Sequence, residues 1–194
     1  MKVGIYGVGV IGGALLDYCK SLGHIVSATD PKLNKKDDME DCDAVFICVP
    51  ANNIEHKQDL YNIRAAMQHI VSLGNSQRCP VFVRSTVLPG TCDTIAKEFD
   101  RDVYHFPEFL CEKTSKNDIF NQDKMFIGTV TPDNPHHGVM KRLFPNKEIV
   151  SRTNRECEMG KYMHNIYGTV KVWLSNVFYN NCQSRDRDWE TIFS

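Results

Sequence analysis

The stretch Gly7-Val8-Gly9-Val10-Ile11-Gly12 follows a short apolar segment and precedes a segment of helical periodicity. Three glycines at this spacing, placed at a strand-to-helix turn, are typical of dinucleotide-binding folds. Gly7 permits the tight turn, Gly9 lets the backbone approach a pyrophosphate at the positive helix N-terminus, and Gly12 lets the helix pack closely on the sheet. A glycine turn that binds no ligand is the alternative, and the order of strand, turn and helix makes it the weaker hypothesis.

An acidic residue at the end of the next predicted strand supports the same interpretation. Asp30 follows the last glycine at close to the spacing of roughly 20 residues that dinucleotide-binding folds show. Its carboxylate would accept hydrogen bonds from a ribose diol and would repel a 2′-phosphate, so NAD is favoured over NADP. Three neighbouring cations, Lys32, Lys35 and Lys36, weaken that preference.

Apolar segments of strand length alternate with segments of helical periodicity along the rest of the chain. Predicted strands span residues 2–6, 25–29, 44–49, 81–84, 103–106 and 125–130, and predicted helices span residues 10–22, 52–73, 91–99, 135–143 and from 154 past 179. This alternation predicts a parallel sheet with helices on both faces. The expected fold class is α/β, a Rossmann-type doubly wound parallel sheet (residues 1–150) followed by a long central helix (residues 151–194). Residues 107–122 are polar, and we expect an irregular loop there.

The composition is that of an ordinary globular protein and argues against several classes of function. The 194 residues carry 23 Lys and Arg against 24 Asp and Glu, so a nucleic acid is not an expected partner. No apolar run approaches the roughly 18 residues needed to span a membrane, and residues 1–6 do not resemble a signal peptide. We therefore expect a cytoplasmic protein that does not bind membranes.

The cysteines and histidines show no metal-binding pattern. The eight cysteines form no C-x-x-C pair, which argues against a zinc ribbon or a thioredoxin-type site. They lie in apolar segments, as Cys48 does, and buried reduced thiols are a better interpretation than disulfides. His136 and His137 lack a third ligand at useful spacing, so we expect a solvated loop and no metal site.

Polar residues that follow predicted strands are candidates for chemistry, because ligands of open parallel sheets gather at the carboxyl ends of the strands. Thr86 follows the fourth strand and either faces the cleft or caps the next helix, two interpretations of about equal weight. Glu108 and Glu112 follow the fifth strand. If their segment forms one helical turn, both carboxylates share a face, where either could act as a general base. Two solvated surface acids are the alternative.

A lysine and an asparagine stand four residues apart early in the long helix. Lys161 and Asn165 therefore share a helix face. An ammonium beside an amide could bind a substrate hydroxyl or stabilise a developing oxyanion. A solvated helix face is the alternative, and for such a pair alone it would be the default.

Together these segments resemble the UDP-glucose/GDP-mannose 6-dehydrogenase family, with the family's motif order kept from the first residue to the last. The matching segments are Gly7-Val8-Gly9-Val10-Ile11-Gly12, Val45-Phe46-Ile47-Cys48-Val49-Pro50, Ser85-Thr86-Val87-Leu88-Pro89-Gly90-Thr91, Pro107-Glu108-Phe109-Leu110, Asp118 with Gly128, and Glu158-Met159-Gly160-Lys161-Tyr162 leading to Asn165, Lys171 and Asn176. The resemblance implies NAD-dependent oxidation of the C6 alcohol of a nucleotide sugar such as UDP-glucose to the carboxylate, in two steps, for polysaccharide biosynthesis. In this family a cysteine thiolate holds the intermediate aldehyde, and the later thioester is hydrolysed.

The resemblance also implies roles for individual residues. Thr86 would help to hold the hydrolytic water, and Glu112 would act as the acid/base carboxylate. Lys161 and Asn165 would stabilise the oxyanion and bind the C6 oxygen. Cofactor contacts are expected from Gly7, Gly9, Val10, Ile11, Gly12, Asp30, Val49, Pro50, Ser85, Thr86 and Glu108. Substrate contacts are expected from Glu108, Phe109, Leu110, Glu112, Lys161 and Asn165.

The sequence departs from the family pattern at several positions. Ala51-Asn52 stands where threonine is usual after Val-Pro, Lys113 where glycine is usual, and Val177 where glutamate is frequent. The 194 residues contain no G-x-C-x-P-K-D segment, in which the family's nucleophilic cysteine lies. Cys111, next to Glu112, is a weak candidate for a substitute nucleophile.

Three hypotheses about the chain follow from this comparison. It is the NAD domain plus central helix of a nucleotide-sugar 6-dehydrogenase, or an NAD-dependent dehydrogenase of the related hydroxyacid type that only converts alcohol to aldehyde, or a non-catalytic NAD-binding module. The apolar residues of the long helix cover more than one of its faces, so we expect a homodimer through residues 154–181.

Overall fold

The computed structural model describes residues 1–73, 79–129, 136–185 and 187–193. The strands are β1 (Lys2–Tyr6), β2 (Ile25–Asp30), β3 (Lys35–Lys36), β4 (Ala44–Ile47), β5 (Asn53–Ile54), β6 (Lys57–Gln58), β7 (Val81–Val83), β8 (Val103–His105), β9 (Lys124–Thr129) and β10 (Glu148–Thr153). The helices are α1 (Val10–Ser21), α2 (Tyr61–Ser72), α3 (Thr91–Phe99), α4 (Ser115–Asn121), α5 (His137–Leu143), α6 (Asn154–Gln183) and α7 (Trp189–Phe193). Contacts divide the chain into two compact units, Met1–Lys161 and Tyr162–Ser194. The predicted domain boundary between residues 150 and 151 stays a prediction.

A six-stranded sheet in the order β3-β2-β1-β4-β7-β8 forms the centre of the first unit. All neighbouring strands are parallel except the short edge strand β3, which is antiparallel to β2. The inner strands β4 and β7 are apolar and buried throughout, as expected where both faces of a sheet are covered. The predicted Rossmann-type doubly wound sheet, followed by a long helix, is therefore confirmed.

Side chains of the inner strands alternate between two apolar cores, one on each face of the sheet. Phe46 and Phe82 stack in the first core, with ring centroids 5.1 Å apart, and buried residues of α1, α4 and α5 complete it. Ile47 and Val83 lie in the second core, together with buried residues of α2 and α3. Helices on both faces thus fix the sheet and leave the carboxyl ends of its strands free to form a site.

The second predicted helix begins later than expected. The sequence predicts its start at residue 52, but α2 begins at Tyr61, and the small antiparallel hairpin β5–β6 precedes it. Glu55 and His56 form the hairpin turn, with φ values of 47° and 65°. Glycine and asparagine are the usual residues at such positions, so this turn carried no recognisable sequence pattern. Asp59 accepts a hydrogen bond from the Tyr61 amide at 2.8 Å and so starts α2.

Two further elements differ from the sequence prediction. The expected loop over residues 107–122 contains α4, where the Asp118 carboxylate accepts hydrogen bonds from the Thr114 hydroxyl and the Cys111 amide. Strand β10 was not predicted, and it pairs in parallel with β9 as a separate two-stranded sheet. The predicted ends of one strand at Val130 and of one helix at residue 135 lie outside the described residues.

The second unit consists of the later part of α6 and the short helix α7. Its large exposed apolar residues are Met163, Ile166, Tyr167, Val170, Val172, Trp173, Leu174, Val177, Phe178, Tyr179 and Ile192. Tyr179 contacts Trp189 edge to face, with ring centroids 6.3 Å apart. Across the described ranges of the chain, no helix combines the length and apolarity needed to cross a membrane.

Candidate active site

The glycine turn has the geometry expected of a dinucleotide site. Gly7 has a φ of 85°, and a Cβ atom there would lie 2.8 Å from the Cys48 carbonyl oxygen. A Cβ on Gly12 would overlap the Gly7 carbonyl, which explains how α1 packs closely on the turn. Gly9 faces open space, because a Cβ there would meet nothing within 4 Å among the described residues. The turn therefore leaves room for a phosphate at the N-terminus of α1.

Asp30 ends β2 beside the glycine turn. Its carboxylate accepts hydrogen bonds from the Val8 amide at 2.7 Å and from the Lys32 amide at 2.9 Å. Each carboxylate oxygen keeps a second lone pair, so the side chain can still accept bonds from ribose hydroxyls. Lys32 and Lys36 line the same end of the cleft, whereas the Lys35 ammonium pairs with Asp37 at 3.0 Å.

A cleft of about 1120 Å³ runs along the carboxyl ends of the parallel strands. Among the predicted site residues, those that line it are Gly7, Gly9, Val10, Ile11, Asp30, Val49, Pro50, Ser85, Thr86, Glu108, Leu110 and Glu112. Gly12 lies behind the turn, and Phe109, Lys161 and Asn165 are not among the lining residues. An open glycine turn, a helix N-terminus and the Asp30 carboxylate in one large cleft fit the shape and charge of NAD.

Two hydroxyl residues follow β7 at the floor of the cleft. The Ser85 hydroxyl donates to the Val49 carbonyl at 2.6 Å, which joins the ends of β7 and β4. The helix that follows is not capped by Thr86, because its N-cap residue is Gly90. Thr86 lines the cleft instead, so the structure favours the first of its two interpretations.

The cap of α3 comes from Glu158, whose sequence position indicated only that it belongs to a family motif. This buried carboxylate accepts hydrogen bonds from the Gly90 amide at 2.5 Å and the Cys92 amide at 2.8 Å. Burial raises the pKa of Glu158, and the two amide hydrogen bonds act in the opposite direction. A charged residue within a helical segment gave no indication that it would cap a distant helix.

The side chain of Asn154 makes a second connection to the sheet, which the sequence also did not predict. Its Oδ1 accepts from the His105 amide at 2.9 Å, and its Nδ2 donates to the Val103 carbonyl at 3.1 Å. Gly128 permits this approach, because a Cβ there would overlap Asn154 Oδ1. Asn154 and Glu158 together hold the first turns of α6 against β8 and α3.

Lys161 follows on the same helix and forms a buried ion pair with Glu108. The Lys161 Nζ and Glu108 Oε1 atoms are 2.7 Å apart, and the two side chains are 5% and 12% exposed. The other carboxylate oxygen of Glu108 accepts from the Leu110 amide at 2.7 Å. The ammonium also lies 5.6 Å from the centroid of the Phe109 ring. Two predicted site residues are thus brought together at the edge of the cleft.

The remaining predicted site residues, Glu112 and Asn165, are more exposed. The condition under which Glu108 and Glu112 would share a helix face is not met, because residues 106–111 have no regular secondary structure. Glu108 is fixed by its ion pair, whereas Glu112 is exposed, and both still line the same cleft. Asn165 belongs to the second unit, where it is exposed and its carbonyl accepts from the Thr169 hydroxyl at 3.0 Å.

Two further residues of the cleft were not among the predicted site residues. Burial raises the pKa of the Cys48 thiol to about 12, so it is protonated at neutral pH. Arg84 lines the cleft although it is only 2% exposed. The sequence places this arginine directly after a buried apolar strand, which is the pattern that could have identified it.

The described residues do not assemble a metal site. No group of three or more His, Cys, Asp or Glu side chains among them could hold a metal ion. His136 lies 3.2 Å from an Asp102 oxygen, and His137 lies 3.2 Å from the Ser151 hydroxyl.

Comparison with solved structures supports the fold. GDP-mannose dehydrogenase from Pseudomonas aeruginosa, solved as a ternary complex, matches all of this chain with a TM-score of 0.82 at 24% identity and 56% coverage of its own chain. UDP-N-acetylmannosamine dehydrogenase from Pyrococcus horikoshii matches 95% of this chain with a TM-score of 0.81 at 19% identity, covering 55% of its own chain. At these identities the likeness concerns the fold alone.

Sequence comparison identifies the family. UDP-glucose 6-dehydrogenase of Rickettsia bellii is 24% identical over an alignment length of 231 residues. The alignment covers 95% of this chain and 52% of the relative. GDP-mannose 6-dehydrogenase of Pseudomonas aeruginosa is 28% identical over 183 residues, which cover 86% of this chain and 41% of the relative. The chain thus spans about half the length of the curated relatives it matches. Residues 27–148 match the model of the NAD-binding domain of one family. The chain belongs to the UDP-glucose/GDP-mannose dehydrogenase family, and its cofactor is NAD.

Proposed function

We propose that the protein acts as an NAD-dependent nucleotide-sugar 6-dehydrogenase, which oxidises the C6 alcohol of a sugar such as that of UDP-glucose toward the carboxylate. The observation that carries this proposal is the buried ion pair of Lys161 and Glu108 at the cleft that also contains the glycine turn. An ammonium held in a fixed position can stabilise an alkoxide as it forms. The relatives named above act on UDP-glucose and GDP-mannose, which is consistent with this substrate class.

The residues of the chain have separate tasks in this proposal. NAD, when bound, accepts the hydride from the alcohol carbon. Lys161 stabilises the negative oxygen, while Glu108 holds the ammonium in place. Glu112, exposed in the cleft, accepts the hydroxyl proton, and Thr86 holds the water for hydrolysis. Asn165 binds the C6 oxygen.

A second candidate is a dehydrogenase that performs the first oxidation alone. The conversion of aldehyde to carboxylate in this family needs a cysteine thiolate from a G-x-C-x-P-K-D segment, and the 194 residues contain none. Cys48 lines the cleft, but its raised pKa makes it a poor nucleophile at neutral pH. Lys161 and Asn165 suffice in principle for hydride transfer from an alcohol, since that step needs positioning and stabilisation of the alkoxide, and this supports the single oxidation as a second candidate.

The amount of NADH formed per sugar distinguishes the two candidates. The protein would be incubated with NAD and, separately, UDP-glucose, GDP-mannose and UDP-N-acetylmannosamine, with hydroxylamine present to trap an aldehyde. The full reaction gives two NADH per sugar, and the single oxidation gives one NADH together with a trapped aldehyde. NADH at background level with all three sugars, combined with tight NAD binding, would instead indicate a non-catalytic NAD-binding module.

We further infer that the protein is a cytoplasmic homodimer, joined through residues 154–181. The eight cysteines are free thiols, which is consistent with a reducing compartment. Exposed aromatic and aliphatic side chains crowd the later part of α6, including Trp173 and Phe178. Apolar surface of this extent is typical of an interface between subunits.

A further inference from the structure

Arg84 is a charged residue of the cleft wall to which the proposed chemistry gives no task. Arg84 directly follows β7, is 2% exposed and lines the cleft. Within the described parts of the chain, its Nε, Nη1 and Nη2 atoms have no hydrogen-bond partner. The guanidinium carbon lies 4.5 Å from the centroid of the Phe106 ring, so the cation stacks on an aromatic face. The residue thus lines the cleft with three donors that are unused within the described residues and closed to solvent, so a ligand in the cleft pairs with them when the side chain turns toward it.

Such an arrangement is unfavourable unless a ligand completes it. Burial lowers the pKa of Arg84, while nearby Cys48 and Glu108 act in the opposite direction, and a guanidinium remains charged in proteins. The contact with Phe106 offsets part of the cost of removing the cation from water. It supplies no acceptor for the N–H donors, and buried donors are rarely left unpaired. Arg101, a second buried arginine, does donate to a backbone carbonyl, that of Cys79, at 3.3 Å.

The position of Arg84 in the sheet indicates which ligand atoms it meets. Asp30 ends β2 and the glycine turn follows β1, so an NAD molecule has its adenosine at one edge and its pyrophosphate at the centre. Arg84 follows β7, which is three strands from β2 and therefore about 14 Å away across the sheet. The nicotinamide riboside half is the part of NAD that extends in this direction. Its carboxamide oxygen and ribose hydroxyls are neutral acceptors.

We propose that Arg84 is a cofactor-binding residue, whose guanidinium donates hydrogen bonds to acceptor oxygens of the nicotinamide riboside half of NAD. The ligand-free protein then carries an incompletely paired buried cation, and the cofactor completes its hydrogen bonds. This proposal depends on NAD binding and not on the sugar substrate. A failed dehydrogenase assay would therefore count against the proposed function and leave the role of Arg84 to the binding data below.

Calorimetric binding of two ligands to the Arg84→Met variant tests this role. NADH contains the nicotinamide riboside half, and ADP contains only the adenosine and pyrophosphate. We expect the variant to bind NADH about 10-fold or more weakly than the wild type, because hydrogen bonds from a charged donor are lost. Its affinity for ADP should change by less than about 2-fold, since those contacts lie at Asp30 and the glycine turn. The ligand-free variant should unfold at an equal or higher temperature, because methionine removes an unpaired buried charge.

Arg101→Met is the matched control, because Arg101 is buried but outside the cleft. It should lower the unfolding temperature and leave NADH affinity unchanged. If Arg84→Met does not fold, Arg84→Gln carries the test with the same two ligands. Unchanged NADH affinity in the Arg84 variants would overturn the proposal. Equal losses of NADH and ADP affinity would also overturn it, since they would show a general disturbance of the cleft.

Discussion

The Lys161 ammonium and the Glu108 carboxylate are 53 residues apart in the sequence and 2.7 Å apart in the structure. The sequence position of either residue alone does not show whether its side chain has a function or is simply exposed to solvent. Their pairing at low exposure makes the ammonium a fixed charge at the edge of the cleft. This pair is therefore the best place to separate catalytic from structural effects.

Replacing Lys161 by methionine should reduce both activity and stability. We expect kcat/KM for the nucleotide sugar to fall at least about 100-fold, because the oxyanion loses its charged donor. The free energy of unfolding should fall by about 3 kcal/mol, since Glu108 is left buried without its partner. Urea unfolding of the double variant Lys161→Met/Glu108→Gln should recover most of that stability and none of the activity.

A surface lysine provides the control for this substitution. Lys124 pairs with Glu148 at 3.1 Å, but both side chains are largely exposed. Lys124→Met should therefore change stability by no more than about 1 kcal/mol and leave the rate of NADH formation unchanged. If Lys161→Met retained wild-type kcat/KM, the proposed role of the ammonium would be wrong.

His105 should make the stability of the protein depend on pH. The ring is fully buried, and burial lowers its pKa to about 3, with the nearby charges of Arg84 and Lys161 acting in the same direction. In the unfolded chain the pKa is about 6.5, so the unfolded state binds the proton more tightly. Stability is therefore fully present above that value and is lost as pH falls toward 3. Between pH 7 and pH 5 the loss should be about 2 kcal/mol.

A variant that cannot titrate isolates this contribution. Urea unfolding of the wild type and of His105→Gln would be compared at pH 7, 6 and 5. The difference in unfolding free energy between the two proteins should shift by about 2 kcal/mol in favour of the variant as the pH decreases. Parallel pH profiles would show that His105 does not titrate as proposed.

At the scale of elements, local patterns were predictable and long-range contacts were not. The glycine turn, α1 and β2 follow from spacing and periodicity within some 30 residues, and the structure has them where they were expected. The cap of α3 was missed, because Glu158 lies 66 residues after the Cys92 amide that it accepts from. The hairpin at Glu55 and His56 was missed because its turn uses residues that seldom adopt positive φ.

The later part of α6 supports a prediction about assembly. Trp173 is 63% exposed, in the midst of other large apolar residues of the helix. We expect sedimentation experiments to show a dimer, and the variant Trp173→Glu to shift it toward the monomer by introducing a charge into the interface. Ile54→Glu, a change at another exposed apolar residue, should leave the dimer intact. A wild-type monomer at high protein concentration would contradict this assignment.

At the scale of the whole molecule, the fold was predictable because every level of the sequence agreed with it. Apolar strands, helical segments and the glycine turn each indicated a doubly wound sheet. The two apolar cores, one on each face of the sheet, confirm it. The site was only partly predictable. The residues lining the cleft follow strand ends and could be anticipated, as Thr86 and Glu108 were. The ion pair of Lys161 and the orphan guanidinium of Arg84 depend on packing between distant segments.

The proposed function requires that hydride pass from the C6 carbon of a nucleotide sugar to NAD at this cleft. The most direct test uses UDP-glucose carrying deuterium at C6, with mass spectrometry of the reduced cofactor. We expect one deuterium in the NADH that forms first, and a slower reaction than with unlabelled sugar if hydride transfer limits the rate. NADH without deuterium would show that the hydride comes from another carbon and that the proposed oxidation at C6 is wrong.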